Sequence, residues 1–263
     1  MNKNNIISLT VMTLLATAVQ AVSAEQQPGT GFIEGSQLSV LNRNYYYNSD
    51  NHSGGKDGRE WGHSILSAFT SGYTSGTVGF GLDAHAYLAL KLDSGRGRNR
   101  SDMFPMKSNG ASRDESTSAG AAVKMRISRS ELKYGDLRPY NPVFALADTR
   151  MFPATATGFM FTSSEIDDLY IDAGHFTSGK DYNQTHGDGD FFAGYAGVKG
   201  GNVDYLGGSY GIDDNTSVTL YTSRYEDLWR QHYLNGNYTL PLGEQRALNL
   251  DANIYRTTEQ GQA

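Results

Sequence analysis

The chain has 263 residues with no cysteine, 6 prolines, 31 glycines, 17 tyrosines and a net charge of −6. The lack of cysteine excludes disulfides and thiolate metal sites, and the acidic balance argues against a nucleic-acid partner, which wants a basic face. A hydrophobic share of 38% is modest for one soluble core of this length, but fits a membrane barrel whose inner face is polar.

Met1 to Ala24 reads as a secretory signal: Lys3 in the n-region, an apolar run from Ile6 to Val19, and Val22-Ser23-Ala24 at the cleavage site. The chain divides into this signal peptide, 1–24, and an exported part, 25–263. No other apolar run approaches a spanning helix, so an exported chain that spans a membrane must do so as a closed sheet.

Gln37 to Tyr47 is the first strand, with Arg43 in the register of Ser39 and with Tyr45-Tyr46-Tyr47 suited to an interface. A Gly-rich loop from Asn48 to Gly58 leads into Glu60 to Thr70, with Trp61, His63, Ile65, Ser67 and Phe69 on one face. Thr77 to Leu92 is the clearest stretch. Val78, Phe80, Leu82, Ala84, Ala86, Leu88, Leu90 and Leu92 form one register; Asp83, His85 and Lys91 belong to the other. Period two marks a strand with one oily and one wet face. The pattern runs roughly three times the usual strand of about 5–6 residues, and a tilted strand crosses a bilayer core in about 9–11. Taken alone, this strand fits a membrane barrel or a long strand of a soluble sandwich or lipocalin-like barrel.

Asp93 to Ser118 is long, polar and rich in arginine (Arg96, Arg98, Arg100, Arg113), and reads as a solvated loop. A phosphate-binding role toward nucleic acid or lipopolysaccharide is its alternative. Such length is unusual in a compact soluble domain and ordinary in outer-membrane barrels, where long loops on one side alternate with short turns on the other. Ala119 to Ser128 alternates again. Placing Lys124 and Arg126 in lipid would cost about 2–4 kcal/mol each near the midplane, which predicts that both face the lumen. Glu131 and Lys133 oppose Leu132 and Tyr134 on the returning strand.

Arg138 to Pro153 holds half the prolines, so it cannot join a ladder. Val143, Phe144, Ala145, Leu146, Met151 and Phe152 make it too apolar for an exposed loop. It is predicted to fold against the lumen wall and narrow the pore, with Arg150 at the constriction. Seven further strands run from Thr155 to Tyr255, including Asp190 to Lys199, for roughly twelve in all. The six histidines are scattered without ligand spacing, so no metal site is expected. Asp181 to Asp190 lacks the EF-hand order; it reads as a loop, with weak calcium binding as the alternative.

These residues resemble the OprD family of outer-membrane porins. The likeness is carried in order by GFIEGSQLSVLNRNYYYN from Gly31, GTVGFGLDAHAYLALKLDSG from Gly76, GAAVKMRISRSELKYGDLRP from Gly120, TRMFPATATGFMFTSSE from Thr149, DAGHFTSGKD from Asp172, LYTSRYEDLWRQHYLNGNYTLPLG from Leu220 and LNLDANIYRTTEQGQA from Leu248. The resemblance implies an all-β, eighteen-stranded transmembrane antiparallel barrel in the outer membrane of a Gram-negative bacterium, with its third extracellular loop folded inward. The chain stops short of the family's final strands and is read as its first twelve or so. The resemblance also implies a monomer or weak homotrimer in contact with the lipid bilayer and lipopolysaccharide, with no cofactor.

The implied function is passive diffusion of small charged solutes. One branch of the family takes up basic amino acids, small peptides and carbapenem antibiotics; a sister branch takes carboxylates. Arg150 matches an arginine of the family's lumenal ladder, and Tyr195 in FAGYAG a constriction tyrosine, whereas Ser49 stands where another ladder arginine is common. Arg43, Lys124, Arg126, Lys133 and Arg150 are candidates to attract a carboxylate; Asp83, Glu131, Asp172 and Asp227 are candidates for the cationic end of a solute. An alternative from another class is a serine peptidase, with His175 and Asp227 joining an unidentified serine.

Overall fold

The computed structural model describes residues 31–261 apart from 53, 55, 56, 94–100, 194–196, 244 and 245. The signal peptide, Arg96, Arg98, Arg100 and Tyr195 lie outside the described residues. The strands are β1 (Gln37–Ser49), β2 (Gly58–Thr70), β3 (Val78–Lys91), β4 (Glu115–Ile127), β5 (Ser130–Leu137), β6 (Tyr140–Asn141), β7 (Phe144–Ala145), β8 (Thr155–Ser163), β9 (Leu169–Lys180), β10 (Phe191–Ala193), β11 (Val198–Gly200), β12 (Val203–Asp213), β13 (Thr216–Tyr225), β14 (Trp229–Pro241) and β15 (Ala247–Glu259).

Eleven of these form a single sheet in the order β1-β2-β3-β4-β5-β8-β9-β12-β13-β14-β15, every pair antiparallel. The stretch expected as a strand from Asp190 to Lys199 is instead a small hairpin, β10–β11, outside the wall. Gly197, at φ 68°, turns the chain between its arms. This is why the wall has eleven strands and not twelve.

Directly opposed residues share a face of a sheet, so the pairings sort the side chains. Leu66↔Tyr87, Ala68↔His85 and Thr70↔Asp83 put the polar register of β3 on one face. Gly81↔Lys124 and Gly79↔Arg126 put both β4 cations on that same face, as the lipid penalty requires. The opposite face carries Val78, Phe80, Leu82, Leu88, Leu90, Val123, Leu206, Leu220 and Leu234, all exposed, Phe80 at 55% and Leu220 at 58%. Among the described residues no second layer of protein covers this apolar register. It is therefore the outer, lipid-facing surface, and the polar face lines the lumen.

Connections follow one rule. At one end lie 71–77, 128–129, 164–168, 214–215 and 242–246; at the other lie 50–57, 92–114, 138–154, 181–202 and the brief 226–228. The long connections thus share an end, as in outer-membrane barrels. The buried side chains belong to the lumen face and to the loops folded onto it, not to a core between two layers.

Candidate functional site: a loop-lined constriction

The 138–154 segment leaves β5, crosses the lumen face and returns to β8. Proline and the lack of period-two alternation keep it out of the ladder, and its apolar residues draw it onto the wall. One end is seated on β9, β12 and β13. Phe144 meets Phe176 edge-on at a centroid distance of 5.2 Å and Tyr225 at 5.8 Å. The Tyr225 hydroxyl donates to the Val143 carbonyl at 3.0 Å. Asn141 folds this end locally: its Oδ1 accepts from the backbone N–H groups of Val143 and Phe144 at 3.1 and 2.8 Å, and its Nδ2 donates to Asp172 at 3.2 Å.

The other end is seated on β1 and β2. The Ser64 hydroxyl donates to the Met151 carbonyl at 3.1 Å. Met151 and Phe152 are buried with Leu66, Tyr87, Met103 and Phe104. Gly62 makes this approach feasible: a Cβ there would lie 2.8 Å from the Phe104 ring and 3.1 Å from the Met151 methyl. The 92–114 connection therefore does not remain wholly solvated as the sequence suggested. Met103 and Phe104 are fully buried, and the apolar run Met103-Phe104-Pro105-Met106 inside a polar loop was the available signal. Ser101 follows them in, donating to the buried Glu60 carboxylate through its hydroxyl and, at 3.3 Å, through its backbone N–H.

Charge is concentrated where the two loops meet the wall. Arg43 of β1 pairs with Asp148 at 2.8 Å, and Arg138 pairs with the other Asp148 oxygen at 3.1 Å. Burial alone would raise the Asp148 carboxyl; the hydrogen bond and charge of Arg43, followed by those of Arg138, outweigh it and hold the group below its ordinary value. Arg150 Nε donates to the Ser101 carbonyl at 2.8 Å and Nη1 to the Thr149 carbonyl at 3.0 Å. Its guanidinium lies 5.5 Å from the Tyr47 ring and 5.6 Å from that of Tyr182. Among the described residues these bonds use two of the five donors, so the group is oriented and still able to receive a carboxylate.

A second charged group lies nearer the short-turn end. Lys124 and Lys133 are directly opposed across β4 and β5, and Asp83 bridges them at 2.8 and 2.9 Å. Lys133 also meets Glu131 at 3.3 Å, and the Arg126 guanidinium lies 4.4 Å from the Tyr73 ring. Three cations stand here against two carboxylates, but Lys124 is buried and its charge is matched locally. A third group joins Asp136 to Lys180 at 2.6 Å, with His85 at 3.8 Å from the same carboxylate. Sequence reading missed it, because Gly135, at φ 139°, breaks the alternation just before Asp136.

Two acidic candidates have other surroundings than expected. Asp172 is buried and accepts from Tyr205 Oη at 2.9 Å and from Asn141, so it anchors the loop. Asp227 sits in the 226–228 turn at φ 62°. His175 pairs with Asp204 at 2.6 Å, not with Asp227, and both face outward.

An eleven-stranded meander with an oily exterior, a charged interior and an inward loop is the architecture of a porin wall. The sequence profile described as "outer membrane porin, OprD family" matches residues 30–263. The chain belongs to the OprD family. Porin D of Pseudomonas aeruginosa is 46% identical over 243 residues, covering 92% of this chain and 55% of that protein. Among solved structures, P. aeruginosa OccK9 (OpdG) aligns with a TM-score of 0.81 at 31% identity, covering 88% of this chain and 60% of the other. P. aeruginosa OpdK, solved with vanillate, aligns at 0.80 and 32%, with coverages of 88% and 60%. The chain thus spans little more than half the length of these relatives. Like other OprD porins it is an outer-membrane protein of a Gram-negative bacterium.

Proposed function

We propose that this chain forms part of a substrate-selective OprD channel for passive diffusion of small charged solutes, with basic amino acids, small peptides and carbapenem antibiotics as its substrates. Residues 1–24 direct its export, and 25–263 belong to one barrel. The single observation that carries the reading is the oriented Arg150 guanidinium on the inward loop, beside the Arg43–Asp148 pair. A solute carboxylate is drawn to Arg150 and Arg43, while Asp83 and Glu131 deeper in the lumen are the acidic groups that its cationic end can meet, within a cluster whose net charge is positive. Arg126, Lys124 and Lys133 extend the positive side. Tyr195 is retained from the family motif as a second constriction residue. The identity to Porin D supports the basic-amino-acid branch.

The test is Arg150→Ala in a full-length version of the porin, read in planar bilayers. The expected result is weaker anion attraction and loss of block by arginine or a carbapenem. Unchanged current and unchanged block would remove Arg150 from the site. A carboxylate-selective channel is the second reading, favoured by the 32% identity to OpdK, whose structure holds vanillate. Faster uptake of benzoate than of arginine in liposome swelling would select it. A serine peptidase would need to be labelled by a serine-directed fluorophosphonate, and an unlabelled protein leaves transport alone.

A further inference from the structure

The outer face changes character within two residues near its long-loop end. One rung across β12–β15 reads Gly208, Leu220, Leu234 and Ile254, apolar throughout. The next reads Leu206, Thr222, His232 and Arg256; the one beyond reads Asp204, Arg224, Arg230 and Thr258. Two residues of strand rise amount to about 7 Å, so cations begin where the lipid band ends.

Arg224 and Arg230 are directly opposed on this outward face, and both are exposed. Like charges placed opposite one another are destabilising unless something negative lies between them. The lumen solves the same problem internally, since Lys124 and Lys133 share Asp83. Outside there is no such bridge: among the described residues no ion pair reaches Arg224 or Arg230, and the neighbouring Asp204 is engaged by His175 at 2.6 Å. Asp204, Leu206, Thr222, Arg224, Arg230 and His232 together line a shallow groove. Of the nearby acids, Glu226 turns to the Asn202 N–H at 3.1 Å, and Asp227 lies in the turn above.

We propose that this groove binds the phosphate of a lipid headgroup in the outer leaflet. The phosphate bridges Arg224 and Arg230, each able to grip it through a planar fork of N–H donors, with His232 beside them. The acyl chains continue down the apolar rung of Leu220, Leu234 and Ile254. Charge complementarity and continuity with the lipid-facing band identify the occupant as the phosphorylated headgroup of an outer-leaflet lipid and not a soluble anion.

The full-length porin is refolded in dodecylmaltoside micelles carrying either phosphatidic acid or diacylglycerol of the same chain length, and lipid retention is counted by native mass spectrometry. Phosphatidic acid is expected to be retained about tenfold better, the effect of one charge-assisted hydrogen bond, with the preference fading as salt is raised. The double variant R224Q/R230Q is expected to lose the preference, and R224K/R230K to recover part of it. Circular dichroism checks that each variant holds its sheet; the wild-type comparison of the two lipids stands even where a variant does not fold. Equal retention of both lipids overturns the proposal. So does displacement of phosphatidic acid by an equal concentration of inorganic phosphate, or a double variant that alters only self-association. Because no lumenal residue is touched, failure here leaves the transport reading standing.

Discussion

Asp148 is held by two arginines that reach it from different places, Arg43 from the wall and Arg138 from the start of the loop itself. Both contacts are partly exposed, so solvent screens them, and their combined worth is about 1–2 kcal/mol. Asp148→Asn is expected to loosen the loop without unfolding the sheet, read as faster proteolysis within 138–154 at unchanged circular dichroism. The pH dependence has a definite sign. A carboxyl held below its ordinary value of 3.8 in the folded protein contributes stability above that value and loses it as pH falls through the lower, folded value. Loop protection in hydrogen exchange is therefore expected to be constant from neutral pH to about 4 and to fall only below it. Loss of protection already at pH 6 would contradict the assignment to Asp148.

At the scale of elements, the wall strands were legible in the sequence because one physical penalty fixes each register. A cation on the wrong face of β4 would sit in hydrocarbon, so Lys124 and Arg126 had a single place to go. The same argument predicts that Leu220→Arg, pointing outward, lowers barrel insertion by about 2–4 kcal/mol. Thr219→Arg, one residue earlier and facing the lumen opposite Ser209, should cost far less. Folding yield into vesicles against urea separates the two. The inward loop was legible for a related reason: proline forbids pairing, and a greasy unpaired segment must pack. What stayed hidden were non-local partners. Nothing in the spacing of Asn141 and Asp172, or of Arg150 and Ser101, announces that they meet. Nor did Glu60 look like the buried anchor of a second loop. Gly62 was equally mute, although two loops press against it. Gly62→Val should overfill that contact by about 1–3 kcal/mol and expel Phe104 and Met151, giving a wider pore and higher single-channel conductance in the full-length porin. Unaltered conductance would mean that the loops are held by their other contacts alone.

At the scale of the whole molecule, the described sheet has two edge strands, β1 and β15. Within a membrane each edge must find a partner, because an unsatisfied backbone group in hydrocarbon costs several kcal/mol. The relatives are nearly twice as long as the matched region. The division of faces, an oily band outside and a mostly polar surface within, runs across the wall and gives the loops a lumen to narrow. Because residues 1–263 contain no cysteine, none of them has to be replaced before the test. Single cysteines at Leu82, Asp83, Ala84 and His85 along β3, in the membrane-inserted full-length porin, are challenged with a charged, water-soluble thiol reagent. Asp83→Cys and His85→Cys are predicted to react from the lumen, while Leu82→Cys and Ala84→Cys stay silent and are quenched only by a lipid-borne probe. Equal reactivity at all four positions, or the reverse alternation, would contradict the account.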